Sequence, residues 1–549
     1  MRTIHPVPTP ADLAGSPPPA RRRRRAPRRA GALVSTFAVL TLGLAVGLGG
    51  PTSASGASTK AAASSAGTLT AATPQGPNSF DPCANSGGAS IPYDELLYAP
   101  LIFAVPSTNE LVPGLASSWG FTGTTKLTFV VHLKPGYKFQ DGTPVNAQAA
   151  MQSIDYCLSE KVQSLPTLKD MTVTGTSTLI FHLTAPTSSL PAELSQEIGM
   201  LISPAAIQKY GVKGLGEHPV GAGPYELGSY VPNSSVVFKA WSGYKVAGEP
   251  AAKQRQLEVE IITDQTSLSS ALTSGTVDYA FGLTASIVPS LERDSNLHVH
   301  INHSALAVTA MFVNVNVAPM NNVDVRLALE YALDRSALSK AASDRVVDAP
   351  AYTVYPPGNP YYDPTMKNAW PYDVAKAKAL LEKAGYPNGI TINGALSIAA
   401  PPFEQDAIIA AQQWKKAGIT VDFTQDQPSA ALSQFAQPQG GPMLSVGWDG
   451  TVTPLATYFG LFGKTGLGNA AHVANPQIES ALARLNSAYT TSGVMSLVKQ
   501  MDSVIKSQAL WIPLWYNPYP EIYSSHVRGA LQASALINEP NLDYLSVGR

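Results

Sequence analysis

The stretch VHLKPGYKFQDGTPVNAQAA, residues 131–150, contains the end of a strand followed by a tight turn. It continues the segment KLTFVVHL, residues 126–133, whose β-branched and aromatic side chains are typical of a β-strand. Gly136, Asp141 and Gly142 come next, and Asp-Gly is a turn dipeptide because Asp hydrogen-bonds to the nearby backbone and Gly accepts positive φ. We therefore expect a strand that ends in a turn here.

Strand-like and helix-like segments alternate over the rest of the chain. The segment TSTLIFHL, residues 176–183, predicts another strand. Residues 323–342 predict one long helix, because their apolar side chains recur at helical spacing. Residues 373–389 predict a further helix, with Asp373 as its N-cap and Gly385 as its stop. No internal repeat is apparent, so this mixture predicts an α/β protein rather than a solenoid or a barrel. The apolar positions of the long helix are Val325, Leu329, Ala332, Leu333 and Leu338.

Length and charge limit the class of protein. The chain has 549 residues, which is more than one hydrophobic core usually supports, so two or three units are expected. Hydrophobic residues make up 44% of it, as in a soluble globular protein. Eight of the 37 basic residues but only one of the 38 acidic residues lie in residues 1–57, so the remainder is acidic. An acidic body is a poor partner for nucleic acid.

The N-terminus has the pattern of an export signal over residues 1–57. The basic run RRRRRAPRR, residues 21–29, precedes an uncharged apolar stretch, residues 30–50, and then small residues. Cleavage after Ala54 or Ala57 fits this pattern, although the apolar stretch is also long enough to remain as an uncleaved anchor. Arg28-Arg29 allows a twin-arginine route, and no cysteine closely follows to carry a lipid anchor. Residues 58–73, rich in Ala, Ser and Thr, predict a flexible linker.

Catalytic signatures are missing from the sequence. It contains no G-x-S-x-G elbow and no H-E-x-x-H helix, and the segment YFGLFGKT lacks the first glycine of a phosphate-binding loop. The densest histidine cluster, His298, His300 and His303, is the only hint of a metal site, and we expect its members to be surface or satisfied residues. We therefore expect neither an enzyme nor a bound cofactor or metal ion.

Seven blocks, taken in order, resemble the solute-binding proteins of the peptide/nickel family, which includes the oligopeptide- and dipeptide-binding proteins of ABC importers. The first are ELVPGLASSWGF and the turn stretch quoted above, and PVGAGPYELGSY resembles the family's G-x-G-P-Y turn. The resemblance extends from about Asn78 to the C-terminus. The blocks occupy residues 110–121, 131–150, 219–230, 312–335, 372–389, 469–482 and 511–517.

The resemblance implies a two-lobed periplasmic-binding-protein fold of the α/β class, with a subdomain inserted in lobe I and a cleft that closes by a hinge. It further implies an extracytoplasmic receptor, periplasmic or at the cell surface, that acts as a monomer. Such a receptor delivers a peptide or similar solute to an ABC permease in the membrane. The implied domains are lobe I (74–106, 214–302 and 515–549), the inserted subdomain (107–213) and lobe II (303–514).

Only two cysteines, Cys83 and Cys157, occur in the chain. In an exported protein an even pair favours one disulfide, which here would close a loop of about 75 residues and stabilise the fold by about 4 kcal/mol. It would join the segment that follows Asp81 to the inserted subdomain. Two buried free thiols are the alternative.

The segment SVGWDGTVTP, residues 445–454, matches the family's ligand-binding loop only in part. In the peptide binders this loop reads G-W-x-x-D, and its aspartate neutralises the α-amino group of the peptide. Gly447 and Trp448 match the pattern, whereas Thr451 stands where the aspartate would be. Asp449 is the only carboxylate left, so it binds an amine, or the ligand is a neutral solute held by Trp448 and the threonines, or Asp449 faces solvent without a role.

The same matching gives further candidates for the cleft wall. Asn469 stands where the family often has a polar residue, and Trp515 and Tyr516 lie where the chain returns to lobe I. The two aromatic residues are equally consistent with core packing under the hinge. The loop of residues 84–90 is expected to border the cleft. Rival functions are a secreted hydrolase, a receptor coupled to a membrane sensor, and a receptor for an oligosaccharide or a nickel chelate.

Overall fold

A computed structural model describes residues 67–84, 90–105, 110–160, 165–245, 251–301, 303, 306–400, 402–449, 451, 453–517, 520–529 and 540–548. The export signal expected over residues 1–57 and most of the expected cleft loop of residues 84–90 lie outside these ranges. Within them, no helix combines the length and the apolar character needed to cross a bilayer.

The first sheet contains seven strands. They are β1 (Thr68–Thr73), β8 (Tyr225–Val231), β9 (Ser235–Ala240), β10 (Gln256–Ile261), β11 (Tyr279–Ala280), β12 (Leu297–Ile301) and β18 (Pro520–Ser524). Their order is β12-β18-β11-β1-β10-β9-β8. β1 is parallel to both of its neighbours, and the other pairs are antiparallel. The last strand of the sheet in sequence, β18, therefore lies next to strands that precede it by more than 200 residues.

The strand β1 occupies residues for which the sequence predicted a flexible linker, the end of residues 58–73. Ala71 and Ala72 are fully buried, and Ala71 is paired with Val259 on one side and with Tyr279 on the other. The segment TLTAAT carries no apolar run, so its composition alone predicts a linker. Its small side chains nevertheless fit a strand that is covered on both sides, and the linker prediction is wrong for residues 68–73.

The second sheet contains five strands in the order β15-β14-β16-β13-β17. They are β13 (Val308–Val313), β14 (Ile390–Ile398), β15 (Ile419–Asp426), β16 (Met443–Trp448) and β17 (Trp511–Tyr516). Every residue of β13 and β17 is buried, as expected for strands covered on both faces. Alternate residues of β13 point to opposite faces, so Phe312 and Met311 belong to different hydrophobic cores.

Helices cover both faces of this sheet. Four pack on the face of Met311, and four pack on the face of Phe312. The first four are α7 (Val323–Tyr331), α8 (Arg335–Ala342), α9 (Val374–Lys383) and α10 (Phe403–Lys415). The other four are α11 (Pro428–Phe435), α12 (Pro454–Phe462), α13 (Pro476–Leu485) and α14 (Thr491–Gln508).

The predicted long helix over residues 323–342 is two helices, α7 and α8. Asp334 begins the second, because its carboxylate accepts a hydrogen bond from Ala337 N at 3.0 Å and its backbone leaves the helical conformation. A capping residue in the middle of an apolar repeat therefore breaks the helix. The prediction for α9 is confirmed: Asp373 caps it with a hydrogen bond from Lys376 N, and Gly385 follows it with φ of 91°.

The third sheet is antiparallel, in the order β4-β5-β7-β6. Its strands are β4 (Ala116–Thr122), β5 (Thr128–Leu133), β6 (Leu168–Thr174) and β7 (Thr178–Leu183). β5 and β7 confirm the two predicted strands, and Gly142, with φ of 86°, confirms the predicted turn. Two small antiparallel pairs join β2 (Ile102–Ala104) to β3 (Leu111–Pro113) and β19 (Val527–Arg528) to β20 (Ser546–Val547).

Six further helices accompany the first and third sheets. They are α1 (Ile91–Leu97), α2 (Ala147–Glu160), α3 (Leu190–Glu193), α4 (Pro204–Leu215), α5 (Gln265–Thr273) and α6 (Val288–Leu291). A disulfide joins Cys83 to Cys157 of α2 with Cα atoms 4.7 Å apart, and both residues are fully buried. This bond fastens the segment that follows β1 to the helix that packs on the third sheet.

The G-x-G-P-Y turn has a packing reason. Cβ atoms at Gly221 and Gly223 would lie 2.2 Å from Leu97 O and 2.4 Å from Leu97 C, so only glycine lets this backbone approach the end of α1. Gly223 N donates a hydrogen bond to Leu97 O at 2.9 Å. The turn thereby fixes the start of β8 against α1.

The chain passes between the first and second sheets at two places. It leaves β12 at Ile301 to enter β13 at Val308, and it leaves β17 at Tyr516 to return at Pro520. The register brings these places together, because Val308 pairs with Tyr516 and Ile301 pairs with Pro520. The second sheet therefore has one end that adjoins both connections. The boundary expected after Leu514 falls inside β17, because Trp515 and Tyr516 continue its pairing with β13.

Candidate ligand-binding site

The segment of residues 445–454, here called the tryptophan loop, begins in β16 at the end of the second sheet that adjoins both connections. Trp448 is the last residue of β16 and pairs with Val308, which also pairs with Tyr516. Asp449 follows directly, at the point where β16 ends. The strand order thus places Asp449 on the side of the second sheet where the chain crosses to the first.

Close packing holds the backbone of this loop on one side. A Cβ atom on Gly447 would lie 2.8 Å from Phe403 Cε1, so the glycine makes room for the first residue of α10. A Cβ atom on Gly460 of α12 would lie 2.6 Å from Trp448 Cη2, so a second glycine makes room for the indole. Both glycines are required by a close approach, and together they position the half-buried Trp448.

The two threonines of the loop bond within the protein. Thr453 caps α12 by accepting a hydrogen bond from Ala456 N at 3.2 Å. Thr451 Oγ1 lies 2.8 Å from Thr457 Oγ1 and donates to Thr453 O at 3.2 Å. These bonds tie the loop to the first turn of α12. Thr451 and Thr453 are therefore occupied in shaping the loop.

Two polar groups of the loop lack such bonds. Trp448 Nε1 is buried and has no hydrogen-bond partner among the residues that the structure describes. Asp449 is exposed to solvent, yet the surrounding protein desolvates its carboxylate and raises its pKa to about 6. Among the described residues, no group donates a hydrogen bond to this carboxylate or pairs with its charge. An accessible but desolvated carboxylate is typical of the floor of a cleft.

Trp515, for which the sequence left the cleft wall and core packing open, lies in the core. It is 1% exposed, and its Nε1 lies 3.1 Å from each carboxylate oxygen of Asp406, which is buried in α10. Burial raises the pKa of Asp406 to about 7, although the hydrogen bonds from Trp515 oppose the shift. The structure gives Trp515 a packing role within the second sheet.

Tyr516 is also buried, and its hydroxyl group donates toward Thr353 O and Tyr355 O at 3.0 and 2.9 Å. The residue still lines a cavity of about 630 Å³, together with His303 and Tyr352. Since Tyr516 shares a row with Val308 and Trp448, it lies at the same end of the sheet as Asp449.

Asn469 is not brought to this end. Its amide donates to Gly463 O and Val473 O, and the residue lines a cavity of about 360 Å³ with Val313. Val313 is the far end of β13, whereas Trp448 pairs with Val308 at the near end. Five residues of strand separate the two positions, or about 17 Å. Asn469 therefore lies toward the Val313 end of β13, although Gly468 beside it bonds to Gly460, which packs against the Trp448 ring.

The histidine cluster does not converge. The His298 ring lies 5.3 Å from the ring of Tyr523, its partner across the strands, and His303 is exposed. Burial and the neighbouring His303 lower the pKa of His300. Nowhere in the described part of the chain do three or more His, Cys, Asp or Glu side chains gather as metal ligands.

Comparison with known proteins agrees with this architecture. The family model of the bacterial extracellular solute-binding proteins, family 5 middle region, matches residues 110–469. The glutathione-binding protein GsiB of Shigella dysenteriae is 30% identical over 453 residues, which cover 78% of this chain and 85% of that protein. The periplasmic binding protein DppA of Helicobacter pylori, solved with the peptide STSA, superposes with a TM-score of 0.74 at 20% identity, covering 88% of this chain and 98% of DppA. A dipeptide-binding protein of Pseudoalteromonas, solved with Met-Leu, gives a TM-score of 0.74 at 19% identity, covering 87% of this chain and 100% of that protein.

The chain belongs to the bacterial extracellular solute-binding proteins of family 5. It has the two-lobed α/β fold of this family, so the resemblance inferred from the seven blocks is confirmed. Proteins of this class are not enzymes: they bind a solute outside the cytoplasm and deliver it to an ABC permease.

Sequence reasoning missed the partners that shape the loop. Phe403, Gly460 and Thr457 lie in helices α10 and α12, and no motif marks them as neighbours of Trp448. It also missed Asp406, the partner of Trp515, because 109 residues separate the two in sequence. A carboxylate in the first turn of a helix is ordinarily interpreted as a favourable charge at the helix N-terminus.

Proposed function

We propose that this receptor captures a peptide-like solute with a free amine, and that Asp449 binds this amine. The observation that carries the proposal is the unpaired, accessible carboxylate of Asp449 at the end of β16, next to both connections between the lobes. A cationic amine would compensate the desolvation that raises its pKa. Protein atoms displace part of the water around this exposed carboxylate, so a bound amine is its natural complement.

The neighbouring groups suit the rest of a peptide. Trp448 Nε1 is a donor without a partner that is buried in this arrangement, so a carbonyl oxygen of the solute would satisfy it only after a local shift of the indole. The backbone of residues 447–449 ends a strand, and peptides commonly bind by extending such a strand. GsiB, DppA and the Pseudoalteromonas protein are named for, or solved with, glutathione or short peptides. These names support a peptide-like ligand for this chain.

The proposed domains follow the sheets. Lobe I holds the first sheet and comprises residues 74–106, 214–302 and the chain after Tyr516, with β1 added at its N-terminal side. The inserted subdomain, residues 107–213, holds the third sheet, and lobe II, residues 303–516, holds the second. We propose a monomer exported by the signal of residues 1–57 and working with a permease of the same importer.

The test is isothermal titration calorimetry with tri-alanine and glutathione, each compared with its N-acetyl form. We expect acetylation to weaken binding about 100-fold, because it removes the charge that pairs with Asp449. Asp449→Asn should weaken binding of the free peptides by a similar factor and leave the acetylated forms unchanged.

Asp422→Asn is the matched control. Asp422 is exposed on β15 of the same sheet, so this variant makes the same change of charge and should keep the affinity of the unmodified protein. Equal binding of free and acetylated peptides would contradict the role of Asp449. If no peptide bound and native mass spectrometry identified a sugar or a capped compound, the proposed class of ligand would be wrong.

A further inference from the structure

A third cavity, of about 370 Å³, lies between the third sheet and the helices of lobe II. One wall carries Trp119 and Phe121 of β4, and the residues around α3 form a second wall. The opposite wall carries Tyr361 and Tyr489 from lobe II. The cavity thus lies where the inserted subdomain meets lobe II, and two parts of the fold are needed to enclose it.

Direct contacts hold these walls together. Ser188 donates from Oγ to Leu485 O at 2.8 Å and from its backbone N–H to Asn486 O at 2.9 Å. These carbonyls belong to the C-terminal end of α13, where helix carbonyls lack partners within the helix. The rings of Phe121 and Tyr489 meet edge to face at 5.2 Å. Any motion that parts the inserted subdomain from lobe II breaks these contacts and opens the cavity.

The residues that line this cavity favour the binding of neutral groups. None of the described lining residues carries a charged side chain. Three of the lining hydroxyl groups already bond within the protein: Ser189 to Glu193, Ser195 to Ala192 O, and Thr453 to Ala456 N. A charged group placed here would remain without a partner at a cost of several kcal/mol, whereas an aromatic ring would meet aromatic edges and faces.

The cavity is close to the amine site. Thr453, Pro454 and Leu455 form part of its wall, and they follow the tryptophan loop directly. Thr453 is four residues from Asp449, so the two lie at most about 14 Å apart. A short peptide chain spans this distance in three or four residues. The volume also suffices, because an apolar cavity of about 150 Å³ accepts benzene.

We propose that this cavity binds an aromatic or large apolar side chain of the same solute whose amine Asp449 holds. The inference rests on the proposed function, and it narrows the substrate class to peptides with a bulky apolar residue at position 2, 3 or 4. Since lobe II and the inserted subdomain both supply walls, a side chain bound here stabilises their association. The apolar side chain of the solute thereby favours closure of lobe II against the inserted subdomain, in addition to the contact that its amine makes with Asp449.

The test compares tetra-alanine with the three tetrapeptides that carry one Phe at position 2, 3 or 4. In the unmodified protein one of the Phe peptides should bind about tenfold more tightly than tetra-alanine. Ala488→Trp and Ala192→Trp fill the cavity from opposite walls. Each should abolish this preference while changing the affinity for tetra-alanine less than about threefold. Ala483→Trp, on the exposed face of α13, is the control and should keep the preference.

The outcomes separate this inference from the proposed function. Tetra-alanine binding without a Phe preference, or a preference that both filled variants retain, overturns the inference and leaves the amine site standing. If no peptide binds, saturation-transfer NMR with indole examines the cavity by itself. Indole binding that Ala488→Trp abolishes and Ala483→Trp keeps supports the aromatic cavity although the peptide proposal has failed. Absence of indole binding overturns the cavity as well.

Discussion

Two tryptophans of the second sheet differ in what they do with a nearby carboxylate. Trp515 on β17 donates to both oxygens of Asp406, and both residues are buried. Trp448 on β16 has an indole N–H without a partner, and Asp449 beside it has no partner among the described residues. The first pair is bonded within the protein, whereas the second leaves a buried donor and an exposed acceptor without partners among the described residues.

This difference distinguishes a tryptophan that stabilises the fold from one that we propose to contact the solute. A buried polar group without a partner costs about 1–3 kcal/mol, so a fold retains one chiefly where something else supplies the partner. The pair of Trp515 and Asp406 joins β17 to α10 inside one lobe. Trp448 and Asp449 lie instead at the end of the sheet beside both connections, where a solute between the lobes would reach them.

The largest expected effect comes from replacing each tryptophan by phenylalanine, which removes the indole N–H and keeps an aromatic ring. Trp515→Phe should lower the free energy of unfolding at pH 8 by about 2–3 kcal/mol, because it takes the indole N–H away from the buried, ionised Asp406. Trp448→Phe should cost less than about 1 kcal/mol, because its N–H has no partner to lose. Urea denaturation followed by far-UV circular dichroism measures both values.

The peptide affinities of the same two variants provide a second test of the difference between the two tryptophans. Trp448→Phe should weaken peptide binding, whereas Trp515→Phe should not, provided that it is measured well below its unfolding midpoint. Equal losses of stability in the two variants would mean that the two tryptophans do not differ as described.

Much of the fold could be predicted from the sequence, because its signals are local. The strands β5 and β7, the turn at Gly142 and the cap of α9 depend on residues within a few positions of one another. The linker and long-helix predictions failed where a neighbour distant in sequence, or a cap, decides the structure. β1 is a strand because β10 and β11 lie on both sides of it, about 190 and 210 residues later.

The site was predicted less well than the fold for the same reason. Sequence matching proposed Trp448 for the cleft because it matches the tryptophan of the family's ligand-binding loop. It proposed Trp515 because the chain returns to lobe I there, with core packing as the alternative. Only the position of Asp406, 109 residues before Trp515, shows that one of them is satisfied inside the core. Asn469 matched the family pattern equally well, yet it lies near the opposite end of β13.

The second prediction concerns the pH dependence of binding. Because the pKa of Asp449 is raised to about 6, acidification from pH 7 to pH 5 protonates its carboxylate and removes the charge that holds the amine. The peptide's amine and carboxylate keep their charges over this range, so the affinity should fall about tenfold as the pH falls. Calorimetry with tri-alanine at the two pH values measures this change, and Asp449→Asn should remove it.

Loss of the fold does not explain a weaker affinity at pH 5. The buried carboxyl groups with raised pKa values, Asp406 among them, bind more protons in the folded state than in the unfolded state. The stability they contribute is therefore present at low pH and is lost as the pH rises through their folded pKa. An affinity that stays constant between pH 5 and pH 7 in the unmodified protein would exclude Asp449 as the partner of the amine.

The smallest expected effect tests whether the first turn of α12 positions the unpaired carboxylate. Thr453→Ala removes the cap of this helix and should lower the free energy of unfolding by about 1 kcal/mol. Because Thr451 and Thr453 also tie the loop to the helix, the variant should weaken peptide binding several-fold through a less ordered Asp449. Asp373→Ala removes a comparable cap from α9, so it should cost similar stability and leave the affinity unchanged. If both variants changed the affinity equally, general destabilisation would account for the loss; an effect confined to Thr453→Ala shows that the helix cap holds the carboxylate in place for its solute.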